Sequence, residues 1–389
     1  MKKVFAFVMA AVMTLTMFAG CASTENGGTT GKPGSGTIKV GTSGPLTGDY
    51  AVYGVAVANA LELAFNEINA LGGLQFEVKS QDDEADKEKA VNAYNTLMDW
   101  GMQIMAGPTT SGSALATAAE CVSDKVFMLT PAASDAAVIA TGENIFQICF
   151  SDPNQGIASA DYIKNHSLAA KVGVIYDSSS PYSSGIFDKF KAEAETIGLE
   201  IACIEAFTDS TKSDLSTQVT KCQEAGCDLV FLPIYTAEAA QVLTYANKIG
   251  YAPKFFGCDG LDGILTVEGF DPKLAEGVLL LTPFDATSDD ARTKAFVESY
   301  KAKYGETPNQ FAADAYDVAY AIYEACTKGG VTADMSAEQI CQILVAQFTS
   351  AEFKFDGITG EAMTWGTDGA VSKMPMAVKL ENGVYVGVE

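Results

Sequence analysis

The chain has 389 residues and a formal net charge of −24 at pH 7, from 49 acidic and 25 basic side chains. So acidic a surface is a poor partner for nucleic acid and for anionic lipid, and we expect no nucleic-acid binding. The length is sufficient for two lobes with separate hydrophobic cores.

The N-terminal segment MKKVFAFVMAAVMTLTMFAGC combines two lysines with an apolar stretch that is short for a membrane span. This pattern predicts a secretory signal peptide over residues 1–20 and an extracytoplasmic protein. FAGC resembles the lipobox of bacterial lipoproteins, with Phe18 where leucine is commoner, which implies that Cys21 carries a lipid anchor. Residues 22–37 are rich in Gly, Ser and Thr and predict a flexible tether.

After the tether, short runs of β-branched and other apolar residues alternate with segments of helical periodicity. The predicted strands are TIKVGTS, LQFEVKS, MQIMAG, KVFMLTP, KVGVIYD, LEIACIEAF, DLVFLPI, KFFGCDG and GVLLLTP. The helical segments include YGVAVANALELAFNEINALGG, DKEKAVNAYNTLMDWG, SGIFDKFKAEAETIG and TAEAAQVLTYANKIG, several of which stop at glycine. This alternation predicts an α/β protein with two doubly wound, parallel-sheet lobes.

Ligands of doubly wound sheets bind beyond the carboxyl ends of the strands. The segments that follow predicted strands are GTSGPLTGDYAVYG, AGPTTSG, TPAAS, SSSPYSSG, PIYTAE and CDGLDG. They supply hydroxyl groups, aromatic rings, glycines and one acid directly after a strand, Asp259. This inventory suits a small zwitterion with an apolar body.

The segment AGPTTSG gathers Thr109, Thr110 and Ser111 where a strand is followed by a helix. Their hydroxyl oxygens can cap the free N–H groups of the first helical turn. The same turn can instead hold a carboxylate or phosphate with its amides and hydroxyls. From these residues alone, both interpretations stay open.

Asp82, Glu84 and Asp86 alternate as calcium ligands would, but the loop lacks the glycine and the later glutamate of an EF-hand. Asp86 is better explained as a helix N-cap and the other two as surface acids. The single histidine, His166, is expected at the surface near a helix end, and no nucleophile-elbow or P-loop sequence occurs. We therefore expect a protein that is not an enzyme.

The nine cysteines form neither a CxxC pair nor an array with histidine. A zinc site and a dense disulfide framework are therefore not indicated. Apart from Cys21, most are expected to be small buried residues, and their pairing state stays open. We expect no metal and no cofactor.

From about Ile38 to Phe311, the sequence resembles the solute-binding proteins of branched-chain amino acid ABC transporters, the leucine/isoleucine/valine-binding type. The most specific marks are GPLTGDYAVYG with NEINALGG, the pair GPTTS and TPAAS, and YDSSSPYSSG. The resemblance implies a type I periplasmic binding protein fold, with two lobes and a hinge. Lobe 1 would comprise residues 38–152 and 285–350 and lobe 2 residues 153–284 and 351–389, with crossovers near Asp152, Phe284 and Ser350.

The resemblance also implies the ligand-binding residues, which are Tyr53, Ser111, Ala132, Ser134, Tyr182, Tyr235 and Asp259. Ser111, Ser134 and the Ala132 carbonyl would meet the carboxylate and ammonium of an amino acid on lobe 1. On lobe 2, Asp259 would face the ammonium; it is one methylene shorter than the glutamate that is common in the family. Serine at position 134 likewise stands where threonine is often found.

The implied function is the extracytoplasmic solute-binding component of an ABC importer. It would capture an aliphatic or aromatic α-amino acid, such as leucine, isoleucine or valine, and deliver it to permease subunits in the membrane. We expect a monomer that is attached to the outer face of the cell membrane through its lipid. Two alternatives stay open: a ligand-sensing module of the same fold, and a receptor for an amide, urea or carboxylic acid.

The anchor can be tested by Cys21→Ser. Because a polar tether and an acidic surface give the protein no other hold on a membrane, this variant should fold normally and appear in the soluble fraction. Membrane fractionation with immunoblotting measures the outcome. Recovery of the variant with the membranes would contradict a lipid anchor at Cys21.

Overall fold

The computed structural model of the protein describes residues 36–388. The predicted signal peptide, Cys21 and the tether as far as residue 35 lie outside the described residues. Within the described range, no helix has the length and apolar character needed to cross a bilayer.

The first sheet has five parallel strands in the order β2-β1-β3-β4-β5. Their bounds are β1 Ile38–Gly44, β2 Phe76–Asp82, β3 Ile104–Met105, β4 Phe127–Thr130 and β5 Ile145–Gln147. The register sets Ile38 opposite Phe76. Strand β4 is buried along its whole length, as expected for a central strand covered on both faces.

The second sheet has seven strands in the order β12-β11-β10-β9-β8-β6-β7. Their bounds are β6 Val172–Asp177, β7 Ile201–Phe207, β8 Leu229–Leu232, β9 Lys254–Gly257, β10 Leu279–Thr282, β11 Met376–Glu381 and β12 Val384–Gly387. Strands β6 to β10 pair in parallel, whereas β11 and β12 join the edge at β10 as an antiparallel hairpin.

Eleven α-helices are present in residues 36–388. They are α1 Ala51–Ala70, α2 Lys87–Trp100, α3 Ser111–Asp124, α4 Ala136–Ile139, α5 Asp152–Asn165, α6 Pro181–Ile197, α7 Ser216–Glu224, α8 Thr236–Lys248, α9 Ala291–Tyr304, α10 Gln310–Gly329 and α11 Ala337–Phe348.

Helix α2 illustrates how local sequence sets the bounds of a helix. Asp86 caps its N-terminal end, where the carboxylate accepts from the Glu88 and Lys89 N–H groups, and Gly101 in the left-handed conformation caps its C-terminal end.

Helices cover both faces of each sheet. On one face of the first sheet, α1, α10 and α11 bury a core that includes Phe65, Ile322 and Leu344, while α2 and α3 pack on the other face around Leu97. In the second sheet, α5 and α6 cover one face and α7 and α8 the other. The predicted fold class, two doubly wound parallel-sheet lobes, is confirmed.

The chain passes between the two sheets three times. It leaves the first lobe between β5 and α5 and returns after β10, where Phe284 joins the core of the first lobe. The third crossover follows Val371, and the prediction that it lies near Ser350 is wrong. Phe353 and Trp365 pack in the first lobe's core, and the Trp365 ring N–H donates to the Gln147 carbonyl at 2.8 Å. Residues 351–371 therefore belong to the first lobe.

Candidate functional site

The candidate site lies where the carboxyl ends of the two sheets face each other across a cleft. The loops after β1, β3 and β4 supply the first lobe's side, and those after β6, β8 and β9 supply the second lobe's side. Between them is a cavity of about 10 Å³ lined by Tyr53, Thr109, Thr110, Ala132, Tyr182, Tyr235, Asp259, Gly260 and Phe311. This volume holds about one water molecule, so the lobes are closed on each other.

Five residues predicted for the site line this cavity: Tyr53, Ala132, Tyr182, Tyr235 and Asp259. Ser111 and Ser134 do not line it, although both are buried in the loops that do. The lining also contains Thr109, Thr110, Gly260 and Phe311, which the analysis of the sequence did not assign to the site. The two threonines and Gly260 neighbour assigned residues, but Phe311 arrives from α10, far along the chain, where no local pattern marks it.

The hydroxyl-rich turn at the start of α3 is not used as a side-chain cap. Thr110 is the N-cap residue, but its side chain makes no capping bond in the described chain and donates instead to the Ser113 hydroxyl at 3.1 Å. The Ser111 hydroxyl accepts from the Asp135 N–H at 3.3 Å. The N-terminal end of α3 thus faces the cleft without a capping oxygen, which favours the anion-binding interpretation of AGPTTSG.

Aromatic rings from both lobes fill the cleft. Tyr53 and Phe311 of the first lobe pack edge to face with centroids 4.9 Å apart, and Tyr182 and Tyr235 of the second lobe stack at 4.9 Å. Tyr53 and Tyr235 then meet across the cleft at 5.2 Å. Because pockets for small ligands usually measure about 300–1,000 Å³, these rings must separate before a solute can enter.

Asp259 is held in the cleft by the second lobe. It is 3% exposed, and its carboxylate accepts a hydrogen bond from the Tyr182 hydroxyl at 2.7 Å. Its N–H donates to the Gln155 side chain at 3.1 Å, and the next N–H, that of Gly260, donates to the Tyr182 oxygen at 2.9 Å. Burial raises the pKa of Asp259 to about 7. The carboxyl group is thus fixed in position, and no lysine, arginine or histidine of residues 36–388 forms a salt bridge with it.

Hydrogen bonds between the lobes hold the closed arrangement. The Tyr53 hydroxyl donates to the Gly260 carbonyl at 2.6 Å and accepts from the Thr236 N–H at 2.8 Å. At the rim, the Tyr50 hydroxyl donates to Glu238 at 2.7 Å. Closure therefore depends on side chains of the segment GDYAVYG, of which only Tyr53 was assigned to the site from the sequence.

Gln310 adds further bonds between the lobes. Its N–H donates to the Asp262 carboxylate at 2.7 Å, and its side-chain amide donates to the Asp259 carbonyl at 3.1 Å. The N-terminal end of α10 is thus tied to the loop after β9. The loop that carries Asp259 is therefore fixed from both lobes.

The other polar residues singled out in the sequence have structural roles. Asp82 accepts from the Leu46 N–H at 2.8 Å and from the Thr47 hydroxyl at 2.5 Å, and Glu84 pairs with Lys89 at 2.6 Å. The predicted N-cap role of Asp86 is confirmed. His166 is exposed at the end of α5, as predicted, and its ring stacks on that of Tyr162 at 4.0 Å.

The eight cysteines within residues 36–388 are unpaired, and all are buried except Cys203, which is partly exposed. The prediction that most of them are small buried residues is confirmed. Gly173 of β6 lies so close to Cys222 and Cys227 that an added Cβ would meet their sulfurs at 3.0 and 3.1 Å. These two thiols therefore pack against the backbone of β6.

The family model described as periplasmic binding protein matches residues 37–383. The chain belongs to the periplasmic binding protein family. Members of this family act outside the cytoplasm and bind solutes, so an extracytoplasmic location follows. The type I fold expected from the sequence is confirmed, as is the resemblance to the leucine/isoleucine/valine-binding type.

Curated relatives give the same assignment. Leu/Ile/Val-binding protein homolog 3 of Brucella melitensis is 30% identical over 77% of this chain and 81% of its own length. The leucine-, isoleucine-, valine-, threonine- and alanine-binding protein of Pseudomonas aeruginosa is 27% identical over 80% of this chain and 82% of its own.

Solved structures agree with the fold. The leucine-binding protein LivK of Thermotoga maritima is 25% identical and superposes with a TM-score of 0.81 over 91% of this chain and 98% of its own. LivJ of Streptococcus pneumoniae, in complex with isoleucine, is 27% identical with a TM-score of 0.79 over 90% and 100%. A Rhodopseudomonas palustris solute-binding protein in complex with benzoate, 20% identical, has a TM-score of 0.81 over 91% and 96% and shares the fold.

Proposed function

We propose that the protein is the solute-binding component of an ABC importer and that it captures an α-amino acid with an aliphatic or aromatic side chain, such as leucine, isoleucine or valine. One observation carries the proposal. The buried carboxylate of Asp259 and the uncapped start of α3 line the same cavity, which is otherwise mainly aromatic. An acid and an anion-binding turn on opposite lobes suit the two charges of an amino acid.

In this proposal each group of the ligand has a partner. The carboxylate meets the N–H groups of the first turn of α3 and the hydroxyls of Thr110 and Ser111. The ammonium meets Asp259, the Ala132 carbonyl and the Ser134 hydroxyl. The names of the Brucella and Pseudomonas relatives and the isoleucine bound to LivJ support this class of ligand.

Aromatic walls complete the pocket. Among residues 36–388, no lysine or arginine lines the cavity, while Tyr53, Tyr235 and Phe311 do. Such walls favour aliphatic or aromatic side chains over acidic ones. The acceptance of benzoate by the Rhodopseudomonas protein keeps a carboxylic acid as the alternative ligand class.

We also propose that the protein is a monomer, is anchored through lipidated Cys21 and delivers its ligand to permease subunits. A ligand-sensing module of the same fold would bind the same solutes. The two roles differ in what deletion of the gene does. Loss of uptake of the radiolabelled ligand identifies a transport component, whereas unchanged uptake identifies a sensor.

A thermal-shift screen of the twenty amino acids and benzoate tests the ligand class. Since a ligand that binds only the folded protein raises its apparent stability, leucine, isoleucine, valine or phenylalanine should give the largest shifts. Calorimetry then provides dissociation constants. Tight binding of glutamate or aspartate without any of these four, or of benzoate alone, would overturn the proposal.

Asp259→Asn tests the ammonium partner. The amide keeps the shape of the side chain but leaves a buried ammonium uncompensated, which costs about 3–5 kcal/mol, a loss of about a hundredfold or more in affinity. Asp228→Asn is the matched control. Asp228 lies at the opposite end of the second sheet, where its carboxylate accepts from the Ala170 and Lys171 N–H groups. Equal affinities of the Asp259→Asn variant and the parent would remove Asp259 from the site.

Tyr53→Phe tests closure. Without the hydroxyl, the Thr236 N–H and the Gly260 carbonyl lose a buried partner on closing, which costs about 1–3 kcal/mol. Ligand affinity should fall by about 5- to 150-fold, mainly through faster dissociation measured by stopped flow. Tyr94→Phe is the control, since the Tyr94 hydroxyl donates to Asp124 within the first lobe. A similar loss in both variants would argue against a role in closure.

A further inference from the structure

A second buried carboxylate, that of Asp152, lies beside the candidate site. Asp152 is the first residue of α5, directly after the first crossover, and is 1% exposed. Neither of its carboxyl oxygens has a hydrogen-bond partner among residues 36–388. Burying an unpaired carboxyl group is costly, so its position requires an explanation.

Contacts from both sides tie Asp152 to the cleft. Its N–H donates to the Ser134 carbonyl at 2.9 Å, in the loop that places Ala132 in the cavity lining. One turn later on the same helix, Gln155 accepts from the Asp259 N–H at 3.1 Å. The first turn of α5 therefore holds Asp152 between the Ser134 loop and the Asp259 loop.

Helix α6 closes the remaining side. At Gly185 an added Cβ would lie 3.1 Å from Oδ2 of Asp152, and Tyr182 of the same helix lines the cavity. This close approach confines the carboxyl group between α6 and the cleft. Glycine at position 185 thus provides the space that the Asp152 carboxyl group occupies.

The polar groups around Asp152 are left without partners. In the described chain, the Ser134 hydroxyl and the side-chain nitrogen of Gln155 lack hydrogen-bond partners, as does the Asp152 carboxyl group. Burial and the charges of Asp259 and Asp135 raise the pKa of Asp152, while the nearby Ser134 hydroxyl opposes the rise. Two acids and two unsatisfied polar groups thus lie together at one end of the cleft, and neither acid forms a salt bridge within residues 36–388.

We propose that Asp152 is a second acidic partner of the ligand's ammonium, beside Asp259, and that the pair makes a positively charged group obligatory in the ligand. The inference rests on the proposed function and adds one chemical requirement for the ligand, a positive charge. An amino acid brings the missing cation, whereas a carboxylic acid without an amino group adds a third negative charge near the pair.

The test compares L-leucine with 4-methylpentanoic acid, which is leucine without its amino group. For Asp152→Asn we expect a loss of leucine affinity of about 10-fold or more, from the removal of a charged partner. The affinity for 4-methylpentanoic acid should stay the same or improve. Calorimetry on the parent, Asp152→Asn and the control Asp228→Asn gives all the constants.

A second variant keeps the Asp152 carboxylate but adds a group that presses against it. Gly185→Ala places a methyl group against Oδ2 within a helix, where alanine is favourable, so folding should be preserved. It should weaken leucine binding more than 4-methylpentanoic acid binding. Selective loss for leucine in both variants supports the inference.

Three results would contradict these expectations, and they distinguish failure of the inference from failure of the proposed function. Equal losses for both ligands would make Asp152 a structural residue of the crossover and overturn the inference. Unchanged leucine affinity in Asp152→Asn would overturn it as well. A parent protein that binds 4-methylpentanoic acid but no amino acid would instead refute the proposed function, and the inference with it.

Discussion

Closing the cleft removes water from the polar groups that line it, and this desolvation governs the rest of the site. Groups that meet a partner in the opposite lobe stabilise closure, as the Tyr53 hydroxyl does with Thr236 and Gly260. Groups that closure buries without a partner oppose it, and the carboxyl group of Asp152 is buried without a partner in the closed arrangement of residues 36–388. The balance between these two sets decides which solutes allow the lobes to close.

The crossovers must bend without losing their attachment to the cores, and the third crossover shows how the sequence achieves this. Lys373 is 3% exposed and forms a buried ion pair with Asp314 of α10, and its ammonium also donates to the Thr359 hydroxyl at 2.5 Å. Asp317 accepts from the Thr359 N–H at 2.9 Å. Removing one member of such a cluster would leave an uncompensated buried charge, so the cluster fixes the point at which the chain leaves the first lobe.

Regular periodicity made most of the fold predictable, and long-range packing accounts for the rest. The nine predicted strands all occur, because each is a short apolar run between turn residues. The prediction did not include strand β5. It also did not include β11 and β12, because they form an antiparallel hairpin outside the strand–helix alternation. The third crossover was misplaced because residues 351–371 have little regular structure, and only their packing in the first lobe assigns them.

Site residues were predictable where they follow a strand directly, as Asp259 and Tyr235 do, because parallel topology brings the strand ends together. Phe311 and Asp152 lie in the first turns of α10 and α5, and no local pattern marks them as neighbours of the cleft. Their relation to Asp259 arises from the crossovers, which place the first turns of α10 and α5 against its loop. Residues of this kind become visible only once the two lobes are assembled.

The closed cleft also indicates what a ligand has to contribute. Hydrogen bonds from Tyr53, Tyr50 and Gln310 to the opposite lobe form between protein groups alone. Among residues 36–388, neither lobe supplies a salt bridge to Asp259 or Asp152. In the proposed function, a solute with an ammonium group would remove the main electrostatic cost of closing. Its apolar part would replace ring contacts that the aromatic side chains make with one another. Charge would therefore control whether the cleft closes, and the aromatic walls would control which side chain is preferred.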